Sequence, residues 1–477
     1  MSTRRTVLIL VALTAAAPLA LTAPSVAAHS VAATAPALAQ SAPDKPLARN
    51  VILLLDDGGG YNQHEAGSLY DTGERAGEAY QEFPFQSAMS TYSYGPYWTT
   101  DCPTTPVGYD PAVAWSEWDY VTHDPTDSAA SATAMATGIK TYNRAIGVDC
   151  DRTPLPNITQ AFESLDKSTG VVSSSVMSSA TPAAFVAHDD NRYNEPAIAK
   201  EMVQSSATDV IMGAGHPLFD EQGSRVPVGD FKFIGKTVWN GLVAGTEGGD
   251  ANGDGTPDRF TLVQTRDEFR SLMSGETPSR VFGMAQVFKN LQVDRAGDPI
   301  ADPYVVPFRE TVPTLSEMTL GALNVLDENP NGFFLMAEGG GTDVAASAHQ
   351  AGRMVEEEIS FDRAVDSVLR WVDENSNWGE TLVIVVSDHE TGYLTGPGSG
   401  PTADGPVWTP LTDNGQGVVP GLQFNLDSHT NSLVPVYAKG DAGRLLRTMV
   451  DGTDSVRGRY VDNTDIHQLL METLGAR

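Results

Sequence analysis

The stretch NVILLLDD (residues 50–57) is a short apolar run that ends in two aspartates. Such continuous apolar runs are typical of strands that are buried on both faces of a sheet. Helical patterns separate the runs, as at residues 311–329 and 349–375. We therefore predict an α/β fold, with a large, mostly parallel central sheet sandwiched between helices. The other predicted strands are VVSSSVM (171–177), DVIMGAG (209–215), GFFLMAEGG (332–340), TLVIVVSDH (381–389) and VPVYAKG (434–440).

Charged side chains stand at the ends of three predicted strands. Asp57 ends the first, Glu338 lies near the end of another, and Asp388 with His389 ends a third. In open parallel sheets, ligands bind beyond the carboxyl ends of the strands. Two carboxylates and an imidazole suit Zn²⁺. The sequence therefore predicts a metal site formed by Asp57, Asp388 and His389 at this edge of the sheet.

The stretch DPTDSAASATAMATG (124–138) places Ser128 directly after Asp127, at the start of a run of small residues that ends at Gly138. A serine in the first turn of a helix lies beside unpaired N–H groups and the positive end of the helix dipole, where phosphate binds. A metal ion beside it would lower the pKa of the hydroxyl and make it a nucleophile. Alternatively, Asp127 only caps a closely packed helix, and this segment alone leaves both interpretations open.

Beyond these segments, an ordered set of motifs covers residues 50–474 and resembles the metal-dependent alkaline phosphatases. The Asp-Ser-Ala segment is particular to that family within its superfamily, and the Pro and Arg that follow the nucleophile of sulfatases are absent here. The resemblance implies hydrolysis of small phosphate monoesters. It rests on NVILLLDDGGG, DSAASATAMATGIKTYNRAIGVD, ATPAAFVAHDDNR, GFFLMAEGG, VVSDHETG, HT at 429–430 and VDNTDI.

The resemblance also implies a role for each matching residue. Ser128 resembles the nucleophile that becomes phosphoserine, and Arg192 resembles the guanidinium that grips two phosphate oxygens. Two zinc sites and one magnesium site are implied. The implied ligands are Asp57, Asp388 and His389 for one zinc, Asp343 and His429 for the other, and Thr181, Glu338 and the shared Asp57 for magnesium.

The sequence departs from the family pattern at two positions. Ser347 stands four residues after Asp343, where the family usually has a histidine ligand, and His349 lies two residues further on. Because Zn²⁺ prefers nitrogen to a neutral hydroxyl oxygen, we choose His349 over Ser347 to complete the site. Ser179 stands two residues before Thr181, where the family has Asp or His, which alters the magnesium site.

The segment DANGDGTPD (250–258) resembles the calcium loop of EF-hand and dockerin-type repeats, with oxygen-bearing residues at alternating positions. The twelfth position is Thr261 rather than glutamate, so we expect modest affinity for Ca²⁺. The alternative is an acidic surface loop. The predicted calcium ligands are Asp250, Asn252, Asp254, Thr256 and Asp258.

Five further histidines, of which His188 lies within the motif ATPAAFVAHDDNR, are predicted to belong to the scaffold or to packing, because lone histidines are more often hydrogen-bonded than metal-bound. They are His64, His123, His188, His216 and His467.

The chain is predicted to contain one large domain (49–477) preceded by an export signal (1–28) and an Ala/Pro-rich leader (29–48). Arg4 and Arg5 are compatible with both Sec and twin-arginine export. Insertions are predicted at residues 92–120 and 216–259. An exported chain with two cysteines favours a Cys102–Cys150 disulfide over two free thiols.

The composition excludes several classes of protein. The 61 acidic residues outnumber the 30 Lys and Arg, for a formal net charge of −31, which argues against a nucleic-acid partner. No apolar window of eighteen residues predicts a membrane span in the mature chain. We predict a secreted or periplasmic phosphatase. The alternatives are a phosphodiesterase or nuclease on the same scaffold and a degenerate phosphate or metal binder, and the sequence leaves monomer and homodimer open.

Overall fold

A computed structural model of the chain describes residues 46–95, 102, 108–251 and 255–475. These residues belong to one compact unit. The predicted export signal and residues 29–45 of the leader lie outside them. None of the helices in these ranges is long and apolar enough to cross a membrane.

An eleven-stranded sheet runs through the described residues in the order β14-β15-β2-β13-β8-β1-β7-β3-β4-β6-β5. All six strands predicted from the sequence lie in it, namely β1, β3, β4, β7, β8 and β13. The strands of this sheet and of two small two-stranded sheets, β10-β11 and β12-β9, are β1 Asn50–Asp56, β2 Phe85–Ser90, β3 Ser168–Val176, β4 Val210–Ala214, β5 Thr261–Val263, β6 Val281–Met284, β7 Phe333–Gly339, β8 Thr381–Ser387, β9 Glu390–Thr391, β10 Gly400–Thr402, β11 Gly405–Val407, β12 His429–Thr430, β13 Val434–Lys439, β14 Gly452–Asp454 and β15 Gly458–Asp462.

Strand β1 lies at the centre of the sheet, parallel to both β7 and β8. The carboxyl ends of these three strands therefore lie at the same edge. Strand β13 runs antiparallel to β8, within a sheet that is otherwise mostly parallel, as predicted. Because of this reversal, the segment that precedes β13 lies at the carboxyl-end edge of β8, and it contains His429.

Helices cover both faces of the sheet, which confirms the predicted sandwich. The patterns at residues 311–329 and 349–375 correspond to α8 and α10. The helices are α1 Tyr61–Asp71, α2 Ser128–Thr137, α3 Ile158–Glu163, α4 Ala180–Ala184, α5 Glu195–Gln204, α6 Lys236–Val243, α7 Arg266–Ser271, α8 Leu315–Leu326, α9 Thr342–Ser347, α10 Ala351–Asn375 and α11 Thr464–Thr473.

Side chains of β1 alternate between two hydrophobic cores. Val51, Leu53 and Leu55 pack in the core that contains α2, whereas Ile52 and Leu54 pack in the core that contains α8 and α10. This alternation is the period-two pattern of an extended strand. Since both faces are buried, the strand needs an apolar residue at every position, which explains the continuous run in the sequence.

The predicted disulfide is present and joins Cys102 to Cys150 across a sequence separation of 48 residues. Cys102 packs against a small cluster formed by Tyr142, Ala145 and Val148, next to the segment that follows α2. Further along the same insertion, the Trp115 indole and the Tyr109 hydroxyl donate hydrogen bonds to Asp454, at 2.8 and 2.9 Å. The insertion is thus attached both by a covalent bond and by contacts to the outer strands.

Replacing both cysteines by serine should destabilise the protein, because the bridge restricts the unfolded chain. For a loop of this length the chain-entropy estimate is about 4 kcal/mol of unfolding free energy. Denaturant titration of the double variant, with the parent under reducing conditions as the control, measures the loss. An equal unfolding free energy in the oxidised parent and the double variant would contradict the prediction that the disulfide stabilises the protein.

Candidate active site

The charged residues predicted at the strand ends lie together at one edge of the sheet. Asp57 follows β1, Glu338 is the sixth residue of β7, and Asp388 and His389 follow β8. The backbone N–H of Asp57 donates to Gly339 O at 3.0 Å, and that of Asp343 donates to Asp57 O at 2.8 Å. These bonds join the loops after β1 and β7, so Asp343 lies beside the ends of the central strands.

Ser128 is the first residue of α2, and the helix is buried along its whole length. Asp127 caps the helix by accepting a hydrogen bond from Ala130 N at 2.9 Å. Small side chains let the helix pack closely under the sheet edge, where Ser131 Oγ donates to Asp388 O at 2.7 Å. The segment is therefore both a capped, closely packed helix and the carrier of a serine at the site.

Three oxygen atoms approach one nitrogen of His389. The Nε2 atom lies 3.2 Å from Ser128 Oγ, 3.3 Å from Asp388 Oδ2 and 3.5 Å from Asp57 Oδ1. A ring nitrogen can donate a single hydrogen bond, so one proton cannot satisfy three oxygens. Asp57, Asp388 and His389 form a group whose ligand atoms lie within 4.8 Å of one another, as predicted for a metal site.

A second group of three possible ligands adjoins the first and shares His389 with it: Asp343, His389 and His429. His429 Nε2 lies 3.2 Å from Asp343 Oδ1, and the rings of His389 and His429 stack with centroids 3.6 Å apart. His429 Nδ1 lies 2.9 Å from Thr126 O, which leaves Nε2 facing Asp343. The geometry thus brings together the residues expected to hold two metal ions.

The donor set fits divalent cations. Among the described residues, the buried atoms Asp57 Oδ1 and Asp388 Oδ2 have no hydrogen-bond partner. Burial, followed by repulsion from Asp388, Asp343 and Glu338, raises the pKa of Asp57 well above its usual range. Unpaired carboxylates are costly in a buried site, and a cation is the partner that offsets this cost. Carboxylate oxygens and imidazole nitrogens are the ligands that zinc binds.

The residues expected to hold magnesium also lie close together. Glu338 is buried and accepts a hydrogen bond from Ser173 Oγ. Thr181, in α4, is buried beside Glu338, and within the described ranges its Oγ1 has no partner of normal hydrogen-bond geometry. Ser179 is the N-cap of α4, although its side chain makes no capping bond. An oxygen-rich set of this kind is what Mg²⁺ prefers.

Arg192 is held beside Ser128 by the residue that caps the helix. Its Nη1 lies 3.2 Å from Asp127 Oδ2, and its backbone N–H donates to Arg144 O at 2.8 Å. The Arg192 side chain is partly buried, with 21% of its surface exposed. Asp127 thus links the start of α2 to the guanidinium of Arg192. The sequence did not reveal this arrangement.

The structure does not bring His349 to either metal group. Its ring is exposed and stacks on Phe424 with an interplanar angle of 2°, and Nε2 lies 2.9 Å from Leu426 O. The backbone of His349 has a φ of 56°, in the left-handed region at the end of α9. Ser347 is the last residue of α9 and is half-buried. This geometry does not support our choice of His349 as the ligand that completes the second zinc site.

Only part of the predicted calcium loop lies in the described ranges, since Asn252 and Asp254 are outside them. Asp250 Oδ2 accepts a hydrogen bond from Gly255 N at 2.8 Å, and Asp258 Oδ2 accepts one from Ala251 N at 2.9 Å. Both carboxylates therefore accept hydrogen bonds from backbone N–H groups of the described part of the loop. The calcium site stays a prediction.

Two supports of the site were missed by sequence reasoning. Thr391 Oγ1 donates to Asp343 Oδ1 at 2.6 Å and lies 3.3 Å from His389 Nδ1, so one hydroxyl orients ligands of both groups. Asn463 donates to Ser131 Oγ at 3.0 Å. Thr391 lies in the motif VVSDHETG and Asn463 lies in VDNTDI. The sequence of a motif does not show which atom a polar side chain in it contacts.

Two of the ligand side chains hold protons that a metal ion must displace. Burial raises the pKa of Asp388 to about 7. Burial alone would lower the pKa of His429, but the Asp343 carboxylate and hydrogen bonds to Asp343 and Thr126 raise it to about 9. In the metal-depleted protein, Asp388 and His429 are therefore each protonated when the pH is below their pKa. A metal ion that binds to these side chains must release those protons.

We accordingly expect the zinc affinity of metal-depleted protein to increase as the pH rises from about 6 to about 9. Competition with a chromophoric chelator at several pH values measures the affinity. Calorimetry in buffers of different ionisation enthalpy counts the protons released. An affinity that does not change over this range would contradict the expectation.

The chain is similar in sequence to known proteins over most of its length. The sequence model of the family described as alkaline phosphatase matches residues 48–409. The alkaline phosphatase of Escherichia coli (strain K12) is 29% identical over 468 residues, which cover 91% of this chain and 90% of that protein. Alkaline phosphatase H of Pseudomonas aeruginosa (strain UCBPP-PA14) is 29% identical over 439 residues, covering 86% and 84%.

Solved structures show the same fold. A variant of the TAB5 alkaline phosphatase, with Mg bound in its M3 site, matches with a TM-score of 0.61 at 24% identity, covering 91% of this chain and 100% of that one. The structure of the alkaline phosphatase from the Antarctic bacterium TAB5 matches with a TM-score of 0.59 at 25% identity, covering 90% and 99%. With the family match spanning most of the sequence and the ligand groups assembled at the expected edge of the sheet, this chain belongs to the alkaline phosphatase family.

Proposed function

We propose that this protein is an exported phosphatase that hydrolyses small phosphate monoesters through a phosphoserine intermediate at Ser128. One observation supports this most directly: Ser128 Oγ lies 3.2 Å from His389 Nε2, where the two ligand groups meet. A binder of metal or phosphate needs no hydroxyl at that position. Export is supported by the signal-like start of the sequence and by the disulfide.

Asp57, Asp388 and His389 would hold one zinc ion, and Asp343 with His429 would hold the second. Glu338, Thr181 and Asp57 would hold magnesium. Bound metal ions would supply Lewis acidity, which lowers the pKa of a neighbouring hydroxyl and neutralises charge on phosphoryl and leaving oxygens. Ca²⁺ at residues 250–258 remains a separate proposal, which rests on the sequence pattern of the loop.

The residues of the chain position the reacting groups. Arg192 would bind two phosphoryl oxygens through its planar guanidinium and orient the phosphorus toward Ser128. Ser128 Oγ would then lose its proton and attack in line, forming the oxygen–phosphorus bond while the bond to the leaving oxygen breaks, and the leaving oxygen would take up a proton and depart as the alcohol. Water attacks the phosphoserine in a second displacement, which releases inorganic phosphate and returns a proton to Ser128 Oγ. Both steps would use the same hydrogen-bond donors of Arg192, because negative charge develops on the same phosphoryl oxygens in each step.

Ser128→Ala should lower turnover of a chromogenic phosphate monoester by roughly 10³-fold or more, because the two-step route is lost. Phosphate trapped on the protein at acidic pH should also disappear. Thr137→Ala is the matched control, since Thr137 lies at the opposite end of the same helix and its hydroxyl donates to Thr133 O and accepts from Ile139 N. Covalent phosphate on another residue would refute the role of Ser128, and a much faster rate with a diester would favour a phosphodiesterase.

The contacts of His349 with Phe424 and Leu426 lead us to expect that His349→Ala keeps its full metal content and activity. Ser347→Ala, at the position where the family has its ligand, is the comparison variant. Elemental analysis of the two purified variants and the parent decides the question. Loss of one metal equivalent only in His349→Ala would show that the imidazole rotates into the site.

A further inference from the structure

A third group of possible metal ligands lies away from Ser128, inside the protein. Asp56 ends β1, His64 lies in α1 and Glu358 lies in α10. Their ligand atoms lie within 4.8 Å of one another, and the three side chains are 0%, 2% and 0% exposed. The alkaline phosphatase motifs quoted above assign no role to Glu358, and lone histidines such as His64 are usually scaffold.

The alternation of side chains in β1 separates this group from the active site. Ile52 and Leu54 pack on the face that carries α10, and Asp56 continues that series. Glu358 lies on the same face, in α10. Asp57, the next residue, joins the ligands beside α2 on the other side. The two adjacent aspartates therefore face different groups of ligands.

The buried oxygens of the group lack partners. Within residues 46–95, 102, 108–251 and 255–475, neither carboxylate oxygen of Asp56 nor of Glu358 has a partner of normal hydrogen-bond geometry, and Glu358 Oε2 has an ion-pair contact with His64 Nδ1 at 3.2 Å. Thr342 is also fully buried, lies beside these two carboxyl groups, and its hydroxyl has no partner of normal geometry in the same ranges. Two buried carboxylates without donors are costly unless a positive charge lies between them.

His64 supplies the nitrogen of the group. Its Nδ1 lies 3.2 Å from Glu358 Oε2 and 3.0 Å from the Tyr80 hydroxyl. A single imidazole carries at most one positive charge, which is insufficient for two carboxylates. A divalent cation would balance both and leave the imidazole neutral, the form in which it acts as a ligand.

We propose that Asp56, His64 and Glu358 bind a structural divalent cation of the zinc or manganese type, in a site distinct from those around Ser128. One imidazole with two carboxylates is a mixed donor set that suits these ions better than Ca²⁺. Ligands bonded to one such ion lie at most about 4.4 Å apart. The observed spacing therefore needs only small side-chain movements to close around the cation.

The location gives the cation a positioning role. Asp56 precedes Asp57, and Thr342 precedes Asp343, so both segments that carry active-site ligands also border the interior site. Asp343 N donates to Asp57 O at 2.8 Å, which joins these segments. A cation bound behind them holds the backbone of both loops without touching the substrate.

Crystals of the full chain soaked separately in Zn²⁺ and Mn²⁺ test the site directly. An anomalous difference peak between Asp56, His64 and Glu358 is the expected result. No peak at that position with either ion, under conditions that fill the ligand groups beside Ser128, would overturn the proposal and leave shared protons to neutralise the carboxyl groups.

Variants test the same site in solution. Glu358→Gln and His64→Gln should each lose one metal equivalent, and the rise in Tm on adding Zn²⁺ or Mn²⁺ should be smaller than in the parent. Glu356→Gln is the matched control, because Glu356 is buried in the same helix but pairs with Arg295 and should keep every equivalent. Unchanged metal content and an unchanged cation-dependent Tm in Glu358→Gln would overturn the proposal. This outcome does not depend on whether the protein has the proposed phosphatase activity at Ser128. If the variants do not fold, the crystallographic result decides.

Discussion

Carboxylates of Asp57, Asp343 and Asp388 lie beside the stacked imidazoles of His389 and His429 at the end of a sheet that is buried on both faces. Like charges at this separation repel strongly in a medium of low dielectric constant, and burial removes the water that would screen them. The fold tolerates the arrangement because the ligands follow or end the central strands β1, β7 and β8, which are buried at every position. Backbone N–H groups also stabilise the Asp388 carboxylate, since those of Gly58 and His389 both donate to Asp388 Oδ1. The charge that remains is what makes the edge a cation site.

The helix that carries Ser128 depends on the same constraint. A serine can reach the ligand groups only if its helix approaches the sheet edge closely, and the run of alanine and serine residues in α2 makes that approach possible. Ser131 Oγ then ties the helix to Asp388 O, which belongs to the ligand segment itself. Asp127 serves two purposes, since one carboxylate oxygen caps the helix and the other accepts from Arg192. Ser128, Arg192 and the proposed metal ligands are therefore positioned by a few short-range contacts.

Sequence reasoning predicted the strands well because residues buried on both faces must be apolar at every position. It left the direction of β13 open. A short apolar run such as VPVYAKG reads the same in a parallel or an antiparallel strand, and only the pairing with β8 decides. The reversal has a functional effect, since it carries His429 to the same edge as His389. The position of His349 was equally undetermined, because the conformation at the end of a short helix depends on contacts with Phe424 and Leu426, distant in sequence.

The sequence by itself determined the α/β class, the covering of both sheet faces and the family, because these depend on patterns and motifs that persist along the chain. It also determined which residue types are available as ligands. Tertiary structure alone decided that His389 joins two ligand groups, that Asp127 connects α2 to Arg192, and that Asp56 faces His64 and Glu358 rather than the active site. Each of these depends on atoms brought together from separate elements, and the sequence contains no record of the distances between them. Adjacent residues of a strand point to opposite faces, so Asp56 and Asp57 have different surroundings only once both faces of the sheet are covered.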